Sequence, residues 1–359
     1  MITAVISDCH VHNFRPFGGV KVSGVNERCN HALAAIARAV EIANTAEADR
    51  LVVTGDLFDV SDPPPQVIAS TIEVFQQFTG DVFLLVGNHD QYSLAEGDHA
   101  FGPMHKHRTG NGTWSICAVE SPKEIAYNAL ALPFNPAPVS EWLPAVLADR
   151  SAPIVYAHFG IIDAGTPSFL RNSSDAIAAD ELFALMKKHE IERFVVGNWH
   201  EHHRWRLGYK EIIQVGALTP TGFNNLGTRY GRVVLIGEDL KVSVHEVPGP
   251  RFHKAKWGAK VPLGELVYVH VDAEPADLVV ARAWLKEQRE AGKLAGFSLV
   301  PNKARANEQA RKAAKATAQI SAIAAASAAF IQKMPLEEGV SRKKVLARVQ
   351  KYLGGKNDG

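Results

Sequence analysis

The sequence predicts an α/β fold in which strands and helices alternate. Short β-branched apolar runs alternate with segments of helical periodicity over the first ninety residues. Five of the apolar runs are followed at once by a polar cluster containing Asp, Asn or His. In sheets of this kind, ligand sites gather beyond the carboxyl ends of the strands. The composition agrees with a globular chain, at 46% hydrophobic and 21% charged residues. A length of 359 residues suits roughly two domains of ~150 residues.

The elements follow in order. ITAVIS reads as a strand, and ERCNHALAAIARAVEIANTAEAD has helical spacing. RLVVTG is a second strand. PPPQVIASTIEVFQQF is a helix opened by prolines, which suit first-turn positions. DVFLLVG is a third strand, and PIVYAH, RFVVGN and EIIQVGA extend the set. RVVLIGEDLKVSVHEV reads as a hairpin around GED. From Leu263, LVYVHVDA, EPADLVVARAWLKEQREAG and GFSLVP read strand–helix–strand. Residues 303–333 are rich in Ala, Lys, Arg and Gln, as in one long helix. SRKKVLARVQKYL has amphipathic spacing, with Ser341 as N-cap.

Charge and cysteine usage narrow the classes. Net charge is +1, but 301–359 carries 12 Lys+Arg against 4 Asp+Glu. A basic tail thus follows an acidic body, a distribution that suits polyanions or a solvated helix equally. Three scattered cysteines make neither a disulfide framework nor a zinc ribbon, which points to a reducing cytoplasm. No stretch approaches the ~20 apolar residues of a membrane span, and the N-terminus lacks the features of a signal peptide.

The polar clusters are Asp8-Cys9-His10, Asp56-Leu57-Phe58-Asp59, Asn88-His89-Asp90, His158, and Gly197-Asn198-Trp199-His200. In this order and spacing the chain resembles the calcineurin-like metallophosphoesterases. Within them it resembles the SbcD-type nuclease subunits of DNA repair and recombination, on GDLFDVSDPPP with VFLLVGNHD downstream. The resemblance covers residues 1 to about 235, and the strand–helix–strand unit beyond is similar to that family's capping domain. It implies a β-sandwich flanked by helices in α-β-β-α layers. The expected organisation is a nuclease domain over 1–250, a small α/β capping domain over 262–301 and a basic helical tail over 302–359.

Phosphodiester cleavage builds negative charge on phosphorus-bound oxygens. Two divalent metals ~3.5–4 Å apart can clamp them, which requires one carboxylate able to bridge both ions. Asp56 is the expected bridge, with Asp8 and His10 on one ion and Asn88 and His158 on the other. Oxygen and nitrogen donors without thiolate suit manganese, iron or zinc, with magnesium as a further alternative, and the resemblance favours manganese. It assigns His89 to catalysis, protonating the leaving oxygen, with Asp59 placed to orient it.

The family's last motif is Gly-His-x-His, and two alignments are open. In one, Asn198 replaces the first histidine as ligand and His200 is the second. In the other, His200 and His202 form the pair. In the first, His202 is left to contact substrate. Expected partners are DNA, an SbcC-type coiled-coil ATPase subunit and a second copy of the chain. The helix bearing Val345, Leu346, Val349, Tyr352 and Leu353 either docks on the ATPase or packs on its own domain. The activity expected is metal-dependent DNA cleavage, as exonuclease or endonuclease. The alternatives are a stand-alone metallophosphatase or small-molecule phosphodiesterase, and a non-enzymatic scaffold.

Overall fold

The computed structural model describes residues 1–301 apart from 94, 96, 106, 110–113, 126–127, 151 and 224–230, and beyond them 326, 329–333, 341 and 343–346. The first elements are β1 (Ile2–Ile6), β2 (Lys21–Val22), β3 (Val25–Asn26), α1 (Glu27–Thr45), β4 (Arg50–Val53), α2 (Pro65–Phe75), β5 (Asp81–Leu85), β6 (Arg108–Thr109) and β7 (Trp114–Val119). Next come β8 (Lys123–Ile125), β9 (Ala129–Leu132), α3 (Val139–Ala148), β10 (Ile154–His158), β11 (Gly160–Ile162), β12 (Ala176–Ala178), α4 (Ala179–Lys188), β13 (Arg193–Gly197), β14 (His203–Leu207) and β15 (Lys210–Gln214). The last are β16 (Gly231–Gly237), β17 (Val242–Val247), β18 (Arg251–Lys256), β19 (Gly264–Ala273), α5 (Leu278–Glu290) and β20 (Leu294–Pro301).

Two large sheets form, in the orders β17-β16-β1-β4-β5-β7-β6 and β14-β15-β13-β10-β9-β8. In the first, β1, β4, β5 and β7 run parallel. In the second, β9, β10, β13 and β15 do. The period-two pattern shows how the layers stack. Val5, Val52, Phe83 and Leu85 of the first sheet share one core with Ile154, Tyr156, Val195 and Ile213 of the second. The alternate residues Ala4, Ile6, Leu51, Val53, Val82 and Leu84 face the opposite way, into a core shared with α1 and α2. Val155, Ala157, Phe194 and Val196 pack with α3 and α4. The layers are therefore helix, sheet, sheet, helix, as expected. Strands buried on both faces have no polar alternation, which explains their unbroken apolar runs.

Helix α1 is capped by Asn26, whose side chain accepts from the Cys29 N–H at 2.9 Å. Pro65 opens α2. The RVVLIGEDLKVSVHEV hairpin forms as β16 and β17, paired antiparallel. The strand–helix–strand reading is met by β19, α5 and β20, joined by β18 into a three-stranded sheet that the sequence did not announce.

The chain divides into two compact units, 1–255 with 260–270 and 285–298, and 256–259 with 271–284 and 299–359. In the second, Trp257 meets Trp284 edge-on, with ring centroids 5.8 Å apart. The Ser341 carbonyl accepts from Lys344 and Val345, so a helical turn starts there as expected. The rest of that short helix, with Val349, Tyr352 and Leu353, and most of the long helix expected over 303–333 lie outside the described residues. No helix among the described residues is long and apolar enough to cross a membrane.

Candidate metal centre

The parallel strands deliver their carboxyl ends to one place. The segments after β1 and β4 run on side by side, with Asp8, His10 and Val11 donating N–H bonds to the carbonyls of Gly55, Asp56 and Leu57 at 3.1, 3.0 and 2.8 Å. Leu218 N–H and Thr219 Oγ1 brace the same segment by donating to the carbonyls of Ser7 and Cys9. The backbone then bends sharply. Asp8, His10, Asp56 and Asn198 all have positive φ, at 48°, 46°, 51° and 96°. Left-handed backbone at non-glycine residues is uncommon and collects at functional sites. Gly197 permits the close approach of the two sheets, since a Cβ there would meet Ser7, the Thr54 carbonyl and Asp8.

Among the described residues, three groups of side chains can converge on an ion: Asp8, His10 and His200; His10, Asp59 and His89; and Asp8, Asp56 and His158. The two oxygens of Asp56 face different imidazoles. Oδ1 lies 3.5 Å from His158 Nε2, and Oδ2 lies 3.8 Å from His10 Nε2. Around the first oxygen, Asn88 Oδ1 stands 3.0 Å from His158 Nε2. Around the second, His200 Nε2 lies 3.1 Å from His10 Nε2 and 3.9 Å from Asp8 Oδ1. The ring orientations are fixed from behind. His158 Nδ1 donates to the Thr54 carbonyl at 2.7 Å, which turns Nε2 toward the centre. His10 Nδ1 lies 3.1 Å from Asp59 Oδ1.

Electrostatics show what the cluster requires. Burial disfavours a charged His158, but Asp56, Asp8 and the Thr54 carbonyl outweigh it and push its pKa up to about 9. Burial opposes charge on His10 too, and Asp59, Asp56 and Asp8 raise it nonetheless. Burial would raise Asp56, yet His158, His10 and His89 hold it below the usual carboxylate range. The carboxylates draw protons onto two imidazoles, so the centre demands positive charge. Divalent cations fit this donor set of carboxylate, amide and imidazole. Cys9, interposed between Asp8 and His10, is fully buried. Burial and the adjacent Asp8 push its thiol far up, which removes it as a thiolate ligand.

A pH dependence follows. A proton held on His158 up to about pH 9 must leave before Nε2 can bind metal. Manganese loading near neutral pH is therefore expected to release about one proton per chain from His158. Affinity should rise with pH and level off above about 9. Calorimetric titration in buffers of differing ionisation heat measures this, and a heat independent of buffer would contradict it.

The remaining predicted residues fall as follows. The His89 side chain is exposed, and its Nδ1 donates to the main-chain carbonyl of Asp59 at 3.0 Å. The Asp59 carboxylate lies 3.1 Å from His10 Nδ1, and the hydrogen bond to His89 is made by the Asp59 main-chain carbonyl. Asn198 secures Asp8 by donating its main-chain N–H to both carboxylate oxygens at 3.2 Å, and its Nδ2 donates to Asp175 at 2.9 Å. His202 lies outside the ligand groups, its Nδ1 donating to the Val215 carbonyl at 3.1 Å.

Two contributors went unassigned in the sequence reading. Asp175 reaches Asn198 because β11 and β12 pair into a small parallel sheet, and strands of three residues leave little periodic signal. Asp90 is fully buried and accepts the N–H groups of Leu57, Phe58 and Gly87 at 3.3, 2.9 and 3.0 Å. It ties the Asp56 and Asn88 segments together. Burial and the charge of Asp56 push it up to about 7, against the pull of the Phe58 and Gly87 amides. Asp90→Ala would strand three buried donors and should cost roughly 3 kcal/mol or more. A urea midpoint close to wild type would contradict that.

A family model for the calcineurin-like phosphoesterases matches residues 1–204. No curated protein sequence matches the chain. Among solved structures, an archaeal phosphodiesterase is 13% identical, covering 69% of this chain and 100% of its own at a TM-score of 0.36. A dimetal phosphatase from Danio rerio is 12% identical, covering 69% and 96% at 0.42. GAP50, the anchor in the inner membrane complex of Plasmodium, is 12% identical, covering 84% and 98% at 0.39.

Proposed function

The chain belongs to the calcineurin-like phosphoesterase family, whose members use two divalent metals, and from that premise we propose a two-metal DNA nuclease of the SbcD type. The observation that carries the metal-dependent chemistry is Asp56, whose two oxygens face separate imidazoles. Asp8, His10, Asp56 and His200 would hold one ion, and Asp56, Asn88, His158 and Asn198 the other. An amide whose Nδ2 is tied to Asp175 keeps its oxygen free to ligate, which supports Asn198 over His202. Bound divalent ions supply Lewis-acid charge to the phosphate and lower the pKa of a coordinated water.

The protein's own residues do the rest. The Asp59 carbonyl accepts a hydrogen bond from Nδ1–H of His89, so Nε2 is the nitrogen that exchanges protons. His89 can protonate the leaving oxygen there. The DNA substrate, manganese as the metal and an SbcC-type ATPase partner are supported by GDLFDVSDPPP, VFLLVGNHD and the basic segment after Pro301. Cytoplasmic placement is supported by the scattered cysteines.

End-labelled linear DNA and circular DNA are the test, each with manganese. We expect cleavage of DNA and little hydrolysis of a cyclic nucleotide or phosphopeptide. Hydrolysis of either of those with DNA left intact would overturn the nuclease reading in favour of a small-molecule phosphodiesterase or phosphatase. For the last ligand, Asn198→Ala should lose the second ion and His202→Ala should keep both. The reverse would move the ligand pair to His200 and His202.

A further inference from the structure

A cavity of about 560 Å³ opens directly beside His200 and Asn198. Its size falls within the ~300–1,000 Å³ typical of small-ligand pockets. Trp199, Trp205 and Phe169 give it flat aromatic walls. Among the described residues no lysine or arginine lines it, whereas Asp163 and Glu201 do, with His200 and His203. Such a lining repels phosphate and suits a neutral planar group.

The walls are built to hold their places. Trp205 Nε1 donates to Asp163 Oδ2 at 2.9 Å, which fixes the indole plane. Asp163 Oδ1 in turn accepts from Gly165 N–H at 2.8 Å and Thr166 Oγ1 at 3.1 Å. Arg171 clamps the same loop by donating to the carbonyls of Thr166 and Ala164 at 2.8 and 3.1 Å. This braced loop carries Phe169 with 80% of its surface exposed. A firmly held loop that keeps a phenyl ring in water at the mouth of an aromatic cavity marks a contact for something absent from the free protein.

We infer that this cavity seats an unpaired nucleobase whose own phosphodiester lies at the strand-end centre. The inference rests on the nuclease reading above and sharpens its substrate class. Aromatic walls read the π face of a base, and that face is exposed only when the base is unstacked. The enzyme would then act on single-stranded or frayed ends in preference to intact duplex interiors. Phe169 is the rim contact, Trp199 and Trp205 are the walls, and Asp163 is a positioning residue acting through Trp205.

The test uses the full chain with manganese and two single-stranded oligonucleotides. They differ only in that one carries an abasic tetrahydrofuran residue beside the scissile phosphate. We expect wild type to cut the base-bearing strand with kcat/KM on the order of tenfold higher. Phe169→Ala, a change at an exposed ring, should bring that ratio close to one. A second readout needs no turnover: dAMP should quench tryptophan fluorescence at lower concentration than 2-deoxyribose 5-phosphate acts, and Phe169→Ala should erase the difference. A wild-type ratio near one, or a ratio unchanged by Phe169→Ala, overturns the base seat while the nuclease reading stands. No DNA cleavage, with dAMP still preferred, overturns the nuclease reading while the base seat stands.

Discussion

His89→Ala is expected to lower kcat about 10²–10⁴-fold and to leave metal content unchanged. The side chain is exposed, and the hydrogen bond it gives up, Nδ1 to the Asp59 carbonyl, is to a surface loop, so the fold should survive. The main-chain N–H of His89 donates to Asp56 Oδ1 at 3.0 Å, a contact that alanine keeps, and the bridging carboxylate therefore stays where it is. What disappears is the Nε2 proton donor. The loss should be largest for substrates with a poor, alkoxide-like leaving group and much smaller for a p-nitrophenyl ester, whose leaving group needs no proton. Steady-state kinetics on both substrates, with metal analysis of the same samples, measure this. Equal losses on the two would mean that His89 acts on the phosphate and not on the leaving oxygen.

Asp56→Asn should be more damaging still. Asparagine tolerates the positive φ of 51° at this position, so the backbone can be kept while the charge is removed. An amide has one oxygen where the carboxylate presents two, and it cannot face both His158 and His10. The variant should lose at least one of the two ions and fall below roughly a thousandth of wild-type activity. It also removes the carboxylate whose charge does most to keep His158 protonated. The protons released on manganese loading should then decrease. Two tightly bound ions and near-normal turnover in Asp56→Asn would refute a bridging role.

Much of this centre was legible in the sequence because each donor follows an apolar strand. Asp8, His10, Asp56, Asn88, His89, His158 and His200 converge because parallel strands end on one edge. A fixed local offset from a strand end therefore becomes a fixed position in space. What was not legible depends on contacts between distant segments. Asp90 looked like the last letter of a motif, and only the fold shows it accepting Leu57 and Phe58 from 33 and 32 residues away. The Asp59 carboxylate was expected on His89, three-dimensional placement put it on His10, and the adjacent carbonyl took over the orienting contact. Asp175 and Phe169 come from the loop between β11 and β12, where short strands and turns carry no hydrophobic period, and Phe169 meets Trp199 and Trp205 only across the fold. Asn198 was legible as a departure from the family pattern, whereas its partner Asp175 was not.

The most direct measurement is electron paramagnetic resonance on the full chain loaded with manganese. A carboxylate bridging two ions ~3.5–4 Å apart predicts two manganese ions per chain and the broadened spectrum of an exchange-coupled pair. Asp56→Asn should abolish that spectrum, and His89→Ala should preserve it. A six-line spectrum of one isolated ion in the fully loaded, active wild type would contradict a two-metal centre built on Asp56.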